Sequence, residues 1–216
     1  LPEGNEKKLE MDEETNPNYT WTAVYDELPA KRGMAVLSAG LPESAVRDKP
    51  NRPIALTLFR GFKRTVLTDG EEGGQIQGTH EFNYALVPLQ GELPRADLCR
   101  MGQQLAATPR AVQVEPRDLS YYKADNILPL THGFIATPPQ QAVITAVQKQ
   151  EQMEGLIVRM FNPFDEQITD TLEVAANISS AELLDLEGNS QGPAKLTGKT
   201  VNLTLEPKKI VTLKIK

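Results

Sequence analysis

The chain has 216 residues, 39% of them apolar and 24% charged, with a formal net charge of −6. Folding at this length buries about 70% of the unfolded surface, so a core needs no disulfide or metal, and the composition is not that of a disordered chain. The basic residues fall in isolated pairs (Lys7-Lys8, Lys31-Arg32, Lys63-Arg64, Lys208-Lys209), no apolar run nears a membrane span, and Cys99 is the sole cysteine; a nucleic-acid partner, a membrane partner, an intrachain disulfide and a multi-cysteine zinc site are therefore not expected.

Residues 1–18 are charged and rich in Pro and Gly, which predicts an exposed lead-in or linker. They lack the basic and apolar regions of a signal peptide. Residue 1 is Leu rather than Met, which leaves either processing or a piece of something longer as the expectation. Short β-like runs then dominate. Tyr19–Asp26 alternates and is rich in aromatic and β-branched residues. Met34–Ser38 follows Gly33, Ile54–Phe59 follows Pro53, and Phe82–Leu89 follows a Gly- and Gln-rich stretch. Leu98, Met101, Gly102 and Leu105 have helical spacing between Pro94 and Pro109, which predicts one capping helix over about Arg95–Ala107. Beyond Pro138-Pro139 come Ala142–Gln148 and Leu156–Phe161, joined by a hairpin at Gln150–Gly155. Ile168–Ala175, Ala181–Leu186, Val201–Leu205 and Ile210–Ile215 complete the series. Strands at such spacing, with turn residues between them, predict sandwiches.

Residues that could carry chemistry are few. His80-Glu81 opens a strand, but neighbours on a strand point to opposite faces. With only His132 as a second histidine, a hydrogen-bonded structural histidine is the plainer reading than a zinc ligand. Asp69, Glu71 and Glu72 could be paired carboxylates of a glycosidase; a solvated acidic turn is plainer. Gly70, Gly73, Gly74 and Gly78 lack the dinucleotide and P-loop spacings. Arg60 ends a strand as either a rim ion pair or a group delivered toward a cleft. Tyr19, Trp21 and Tyr25 share one strand face, where packing is commoner than a sugar-binding platform. Cys99 reads as a small hydrophobe. Asn18, Asn177 and Asn202 head sequons that would matter only in a secreted protein. From the residues alone this is a β-rich chain without a self-contained active site.

The order of several segments adds a resemblance. GMAVLSAGLPESAV (33–46), PIALTLFRG (53–61), QIQGTHEFNYALVPL (75–89), GLIVRMFNP (155–163) and LEPKKIVTLK (205–214) follow one another. This succession resembles the C-terminal region of glycoside hydrolase family 38, the α-mannosidases, from about Asn18 to Lys216. It is closest in style to bacterial cytoplasmic members, including those similar to mannosylglycerate hydrolases. The resemblance implies a mainly β fold: a supersandwich-type β-sandwich region at 19–137 with one capping helix, incomplete by itself, then a small immunoglobulin-like β-sandwich at 138–216. It implies a longer parent that hydrolyses α-mannosidic bonds with retention through an Asp nucleophile and zinc, both carried by an N-terminal barrel. The family's His-x-Asp zinc signature is absent here, so no catalytic residue and no metal ligand is assigned to this chain. Arg60, Gln77 and His80 are the substrate-cleft candidates. The expected partners are the N-terminal catalytic part of the same polypeptide and a carbohydrate substrate; homo-oligomerisation is left open. The expected compartment is the cytoplasm. The alternative is a freestanding carbohydrate-binding β-sandwich with Trp21 at its platform.

Overall fold

The computed structural model describes residues 15–26, 29–47, 49–62, 64–65, 68–69, 72–113, 131–149 and 154–216. The chain divides into two compact units, Leu1–Pro109 and Arg110–Lys216.

In the first unit the strands are β1 (Thr15–Pro17), β2 (Trp21–Asp26), β3 (Arg32–Ala39), β4 (Glu43–Val46), β5 (Ile54–Leu56), β6 (Arg64–Thr65), β7 (Thr68–Asp69) and β8 (Asn83–Gln90), followed by helix α1 (Arg95–Ala106). Strands β2, β3 and β8 form one antiparallel sheet, and β1, β4 and β5 another. Period-two alternation sorts the first sheet into two faces. Trp21, Ala23, Tyr25, Ala35, Leu37, Ala85, Val87 and Leu89 gather with Leu98 and Leu105 of α1 into one core. Helix α1 thus lies where its apolar spacing predicts, and it turns buried Ala96, Leu98 and Gly102 inward. Gly102 approaches Thr20 so closely that a Cβ would stand 2.6 Å from the Thr20 Cβ. On the opposite face Thr22 and Ser44 share a 2.6 Å hydrogen bond that ties β2 to the second sheet.

Gly33 pairs with Tyr25 in the β2–β3 ladder. A Cβ there would sit 2.1 Å from the Val24 carbonyl oxygen and 2.8 Å from the Tyr25 Cα, both backbone atoms. Gly33→Ala is therefore expected to destabilise the first unit by about 2–3 kcal/mol, the upper range of overpacking. Urea unfolding checks this; an unchanged midpoint would show that the two strands can separate at no cost.

The second unit contains β9 (Ile135–Ala136), β10 (Val143–Lys149), β11 (Leu156–Phe161), β12 (Ile168–Val174), β13 (Ala181–Leu184), β14 (Ser190–Pro193), β15 (Lys195–Thr197), β16 (Thr200–Leu205) and β17 (Ile210–Ile215). They form two antiparallel sheets, in the orders β10-β11-β17-β13-β14 and β15-β16-β12-β9. Ile168, Leu172 and Val174 from β12 and Val201, Leu203 and Leu205 from β16 face Val158, Met160, Leu213 and Ile215 of the other sheet across a continuous core. Asp170 lies on the same inward row, 1% exposed. Its carboxyl oxygens accept the Ala142 N–H at 2.6 Å and its neighbour Thr171 N–H at 2.7 Å, so each buried oxygen has a partner. At the β13–β14 turn the Asp185 carboxylate accepts from the Glu187 and Asn189 backbone N–H groups and from Asn189 Nδ2. The Asn189 side chain, and then its backbone, hold that carboxyl below its ordinary pKa.

Among the described residues the fold is mainly β, with sandwiched sheets and one capping α-helix, as the sequence predicts. Three details differ. Residues 15–18 are not lead-in: β1 pairs with β4, and Asn18 is buried with Nδ2 donating to Ser38 Oγ at 3.0 Å. That burial also removes Asn18 as a sequon acceptor. The boundary placed between 137 and 138 falls inside the second unit, because Ile135–Ala136 already pair with β12 and Thr171 Oγ1 donates to the Pro138 carbonyl at 2.6 Å. The strand predicted over Ile54–Phe59 stops at Leu56, because Phe59 leaves the sheet for a ring contact described next.

Candidate functional site

The predicted site residues lie in the first unit on two irregular stretches, 57–62 after β5 and 76–82 before β8. Each stretch holds an aromatic residue beside a polar one. Phe59 and His80 meet with ring centroids 5.6 Å apart and planes 29° apart. Phe59 and Phe82 are parallel to within 5° at 6.2 Å. His80 and Phe82 close the triangle at 6.3 Å. Phe59 is 54% exposed, His80 is exposed and Phe82 half-buried.

His80 is held by more than its neighbours' rings. Its Nε2 lies 2.8 Å from the Ile76 carbonyl oxygen. A carbonyl only accepts, so Nε2 carries the proton, and in the neutral ring Nδ1 is left as an acceptor. Ile76 reaches this position with φ = +46°, a left-handed conformation that a β-branched residue seldom adopts. Backbone strain of this kind persists only where the surroundings hold it, and it gathers at working sites. Gly78, at φ = +130° with open space around its Cβ position, lets the chain turn between Gln77 and His80. Gln77 is exposed on that turn.

Arg60 extends from the neighbouring stretch and donates from Nε to Glu43 Oε2 at 2.8 Å. The rim ion pair is thus formed; with side chains 65% and 31% exposed, such a pair contributes at most about 1 kcal/mol. The bond uses Nε only, so the Nη groups are not consumed by it. The structure therefore brings the Arg60 and His80 segments together through Phe59, while Arg60 itself is turned to Glu43. Phe59 and Phe82 were not singled out from sequence, although each stands beside a residue that was.

The other candidates lie elsewhere. Trp21 and Tyr25 face α1: Trp21 Nε1–H donates to Cys99 Sγ at 3.2 Å, and the Tyr25 hydroxyl to the Gly91 carbonyl. Tyr19, 78% exposed, precedes β2 and does not join them. The side chains of Asp69, Glu71 and Glu72 are outside the described residues. His132, in the second unit, meets Phe134 edge to face at 4.8 Å. Among the described residues no group of three or more His, Cys, Asp or Glu could hold a metal ion, and no helix is long and apolar enough to cross a membrane. A groove of about 460 Å³ on the outer face of the β2-β3-β8 sheet is lined by Val24, Met34, Val36, Ile54 and Leu86 among others. None of the predicted site residues borders it.

Residues 141–213 match the family model described as the glycosyl hydrolases family 38 C-terminal beta sandwich domain. An alpha-mannosidase from Enterococcus faecalis V583 shares the fold over 94% of this chain, with a TM-score of 0.66 and 21% identity. A glycosyl hydrolase family 38 protein from Enterococcus faecalis does so over 94%, with a TM-score of 0.62 and 22% identity. The chain spans only 21% and 22% of the length of those two proteins. No curated protein matches it. The resemblance read from the motifs is thus met twice, by the family model over the terminal sandwich and by the fold over nearly the whole chain: this chain is similar to the C-terminal region of glycoside hydrolase family 38.

Proposed function

We propose that this chain is the noncatalytic C-terminal β portion of a longer, α-mannosidase-like glycoside hydrolase. It would pack on the parent's catalytic part and shape one side of its substrate cleft with Arg60, Gln77 and His80. The observation that carries the reading is the family 38 match over residues 141–213, set in a fold that fills about a fifth of two longer proteins. The described residues support it from the other side: His80 stands with aromatic rings and a carbonyl rather than beside a nucleophile. In this reading the zinc and the retaining chemistry of the parent are carried by its remaining part. In this reading the parent works in a bacterial cytoplasm.

The coding DNA upstream of the Leu1 codon tests the proposal. The expected result is an open frame of some hundreds of codons with a His-x-Asp motif near its start. A start codon or a secretion signal directly upstream overturns it. In parallel, the purified 216-residue chain is expected to release no aryl group from an aryl α-mannoside; turnover abolished by a metal chelator would also overturn it.

A further inference from the structure

We propose that Phe59, His80 and Phe82 form a stacking surface for a pyranose ring, with His80 Nδ1 accepting a sugar hydroxyl. The inference rests on the glycosidase reading above and adds to it two residues, Phe59 and Phe82, and a mode of contact.

Four observations converge on it. Two phenyl rings are parallel to within 5°, with an imidazole 29° from one of them. The imidazole is tilted 33° from the second phenyl ring, so the three rings bring apolar faces to one spot, where the flat, weakly apolar C–H face of a sugar can pack. The cluster is open, with Phe59 54% exposed, although an aromatic side chain gains most by burial. The tautomer of His80 is set by the Ile76 carbonyl, so an acceptor stands ready for a hydroxyl without rearrangement. Finally, the residue that supplies this carbonyl, Ile76, has a left-handed φ of +46°, which a β-branched residue seldom adopts; backbone strain of this kind gathers at working sites. Arg60 and Gln77 extend from the same two stretches and carry further donors for hydroxyls. A fixed imidazole acceptor beside exposed phenyl rings combines the two contacts that a saccharide uses, one for a hydroxyl and one for a C–H face.

The test is an NMR titration of the 216-residue chain with methyl α-D-mannopyranoside, following the ring signals of Phe59, His80 and Phe82. Saturable shifts at all three rings are expected, with a dissociation constant on the order of millimolar. Phe59→Ala is expected to weaken binding at least about threefold. The Trp21 indole N–H signal, in the core beside α1 and bonded to Cys99, reports whether that variant still folds; Phe82→Leu, which keeps the half-buried volume, serves if it does not. Long-range 1H–15N spectra are expected to show His80 protonated at Nε2. Ring signals that do not move, shifts that persist unchanged in Phe59→Ala or Phe82→Leu, or a proton on Nδ1 each overturn the stacking site. Rings that respond to chain concentration instead of sugar would make this a self-association surface, which overturns it as well. Failure here leaves the upstream reading frame untouched, so the two proposals fail separately.

Discussion

Asn162→Ala is expected to destabilise the second unit by about 3 kcal/mol, enough to lower its melting temperature by roughly 10–20 °C. Asn162 is 0% exposed. Its Nδ2 faces the carbonyls of Glu166 at 2.8 Å, Leu205 at 3.1 Å and Glu206 at 3.1 Å. Its Oδ1 accepts the Phe164 N–H at 2.9 Å. One carboxamide therefore ties the turn after β11 to the turn after β16. Lys208 reinforces the same junction by donating to the Pro163 carbonyl at 2.6 Å. Alanine would leave a buried donor and buried acceptors unpaired, each at a cost of about 1–3 kcal/mol. Asn162→Asp keeps the acceptor for Phe164 but sets a carboxylate against three carbonyls, so it is expected to be at least as damaging. Amide exchange in β11 and β16 reads the effect locally. Protection equal to that of the parent chain would show that water satisfies these groups and that the junction holds without Asn162.

Trp21→Ala is expected to cost about 3 kcal/mol in the first unit, the lower end for a large aromatic because Trp21 is only partly buried. The indole packs on β2's inward face with Ala23 and Tyr25, against Leu98 and Leu105 of α1. It also loses its donor contact to Cys99. Trp21→Phe retains most of the area and is expected to cost less than half as much. Thermal unfolding followed by circular dichroism separates these outcomes. The measurement also bears on the carbohydrate-module alternative built on Trp21, which requires the reverse: normal stability with lost sugar binding.

The long strands were open to reading because their burial alternates along the strand, as in β8 and β12. The helix was open to reading because two prolines bracket an i, i+3, i+4, i+7 apolar set. Short polar strands were not. Strand β14 is Ser-Gln-Gly-Pro, with no pattern to mark it; only its hydrogen bonds to β13 make it a strand. Strand β1 was hidden in the same way, since Thr-Asn-Pro reads as a turn. The candidate site shows the same division. Arg60, Gln77 and His80 came from the order of motifs, whereas the ring contacts among Phe59, His80 and Phe82 join segments some twenty residues apart and leave no local signal. Asn162 is the converse case: Asn-Pro marks a turn, but its role as a four-way tie depends on β16, more than forty residues later.

Strand β8 is an eight-residue edge, and among the described residues no strand lies along its far side. Its ladder to β3 runs unbroken through Pro88, which sits opposite Met34. A proline has no N–H to give, so that pair is of the non-bonded kind and the Pro88 nitrogen faces outward. By alternation the backbone groups of Tyr84 and Leu86 also face outward, beside side chains that are 54% and 61% exposed. An open edge with apolar side chains is a template for runaway strand addition between copies. Pro88 removes one rung from that template, so an incoming strand cannot zip along the full edge, and the chain carries its own guard against fibrous self-assembly.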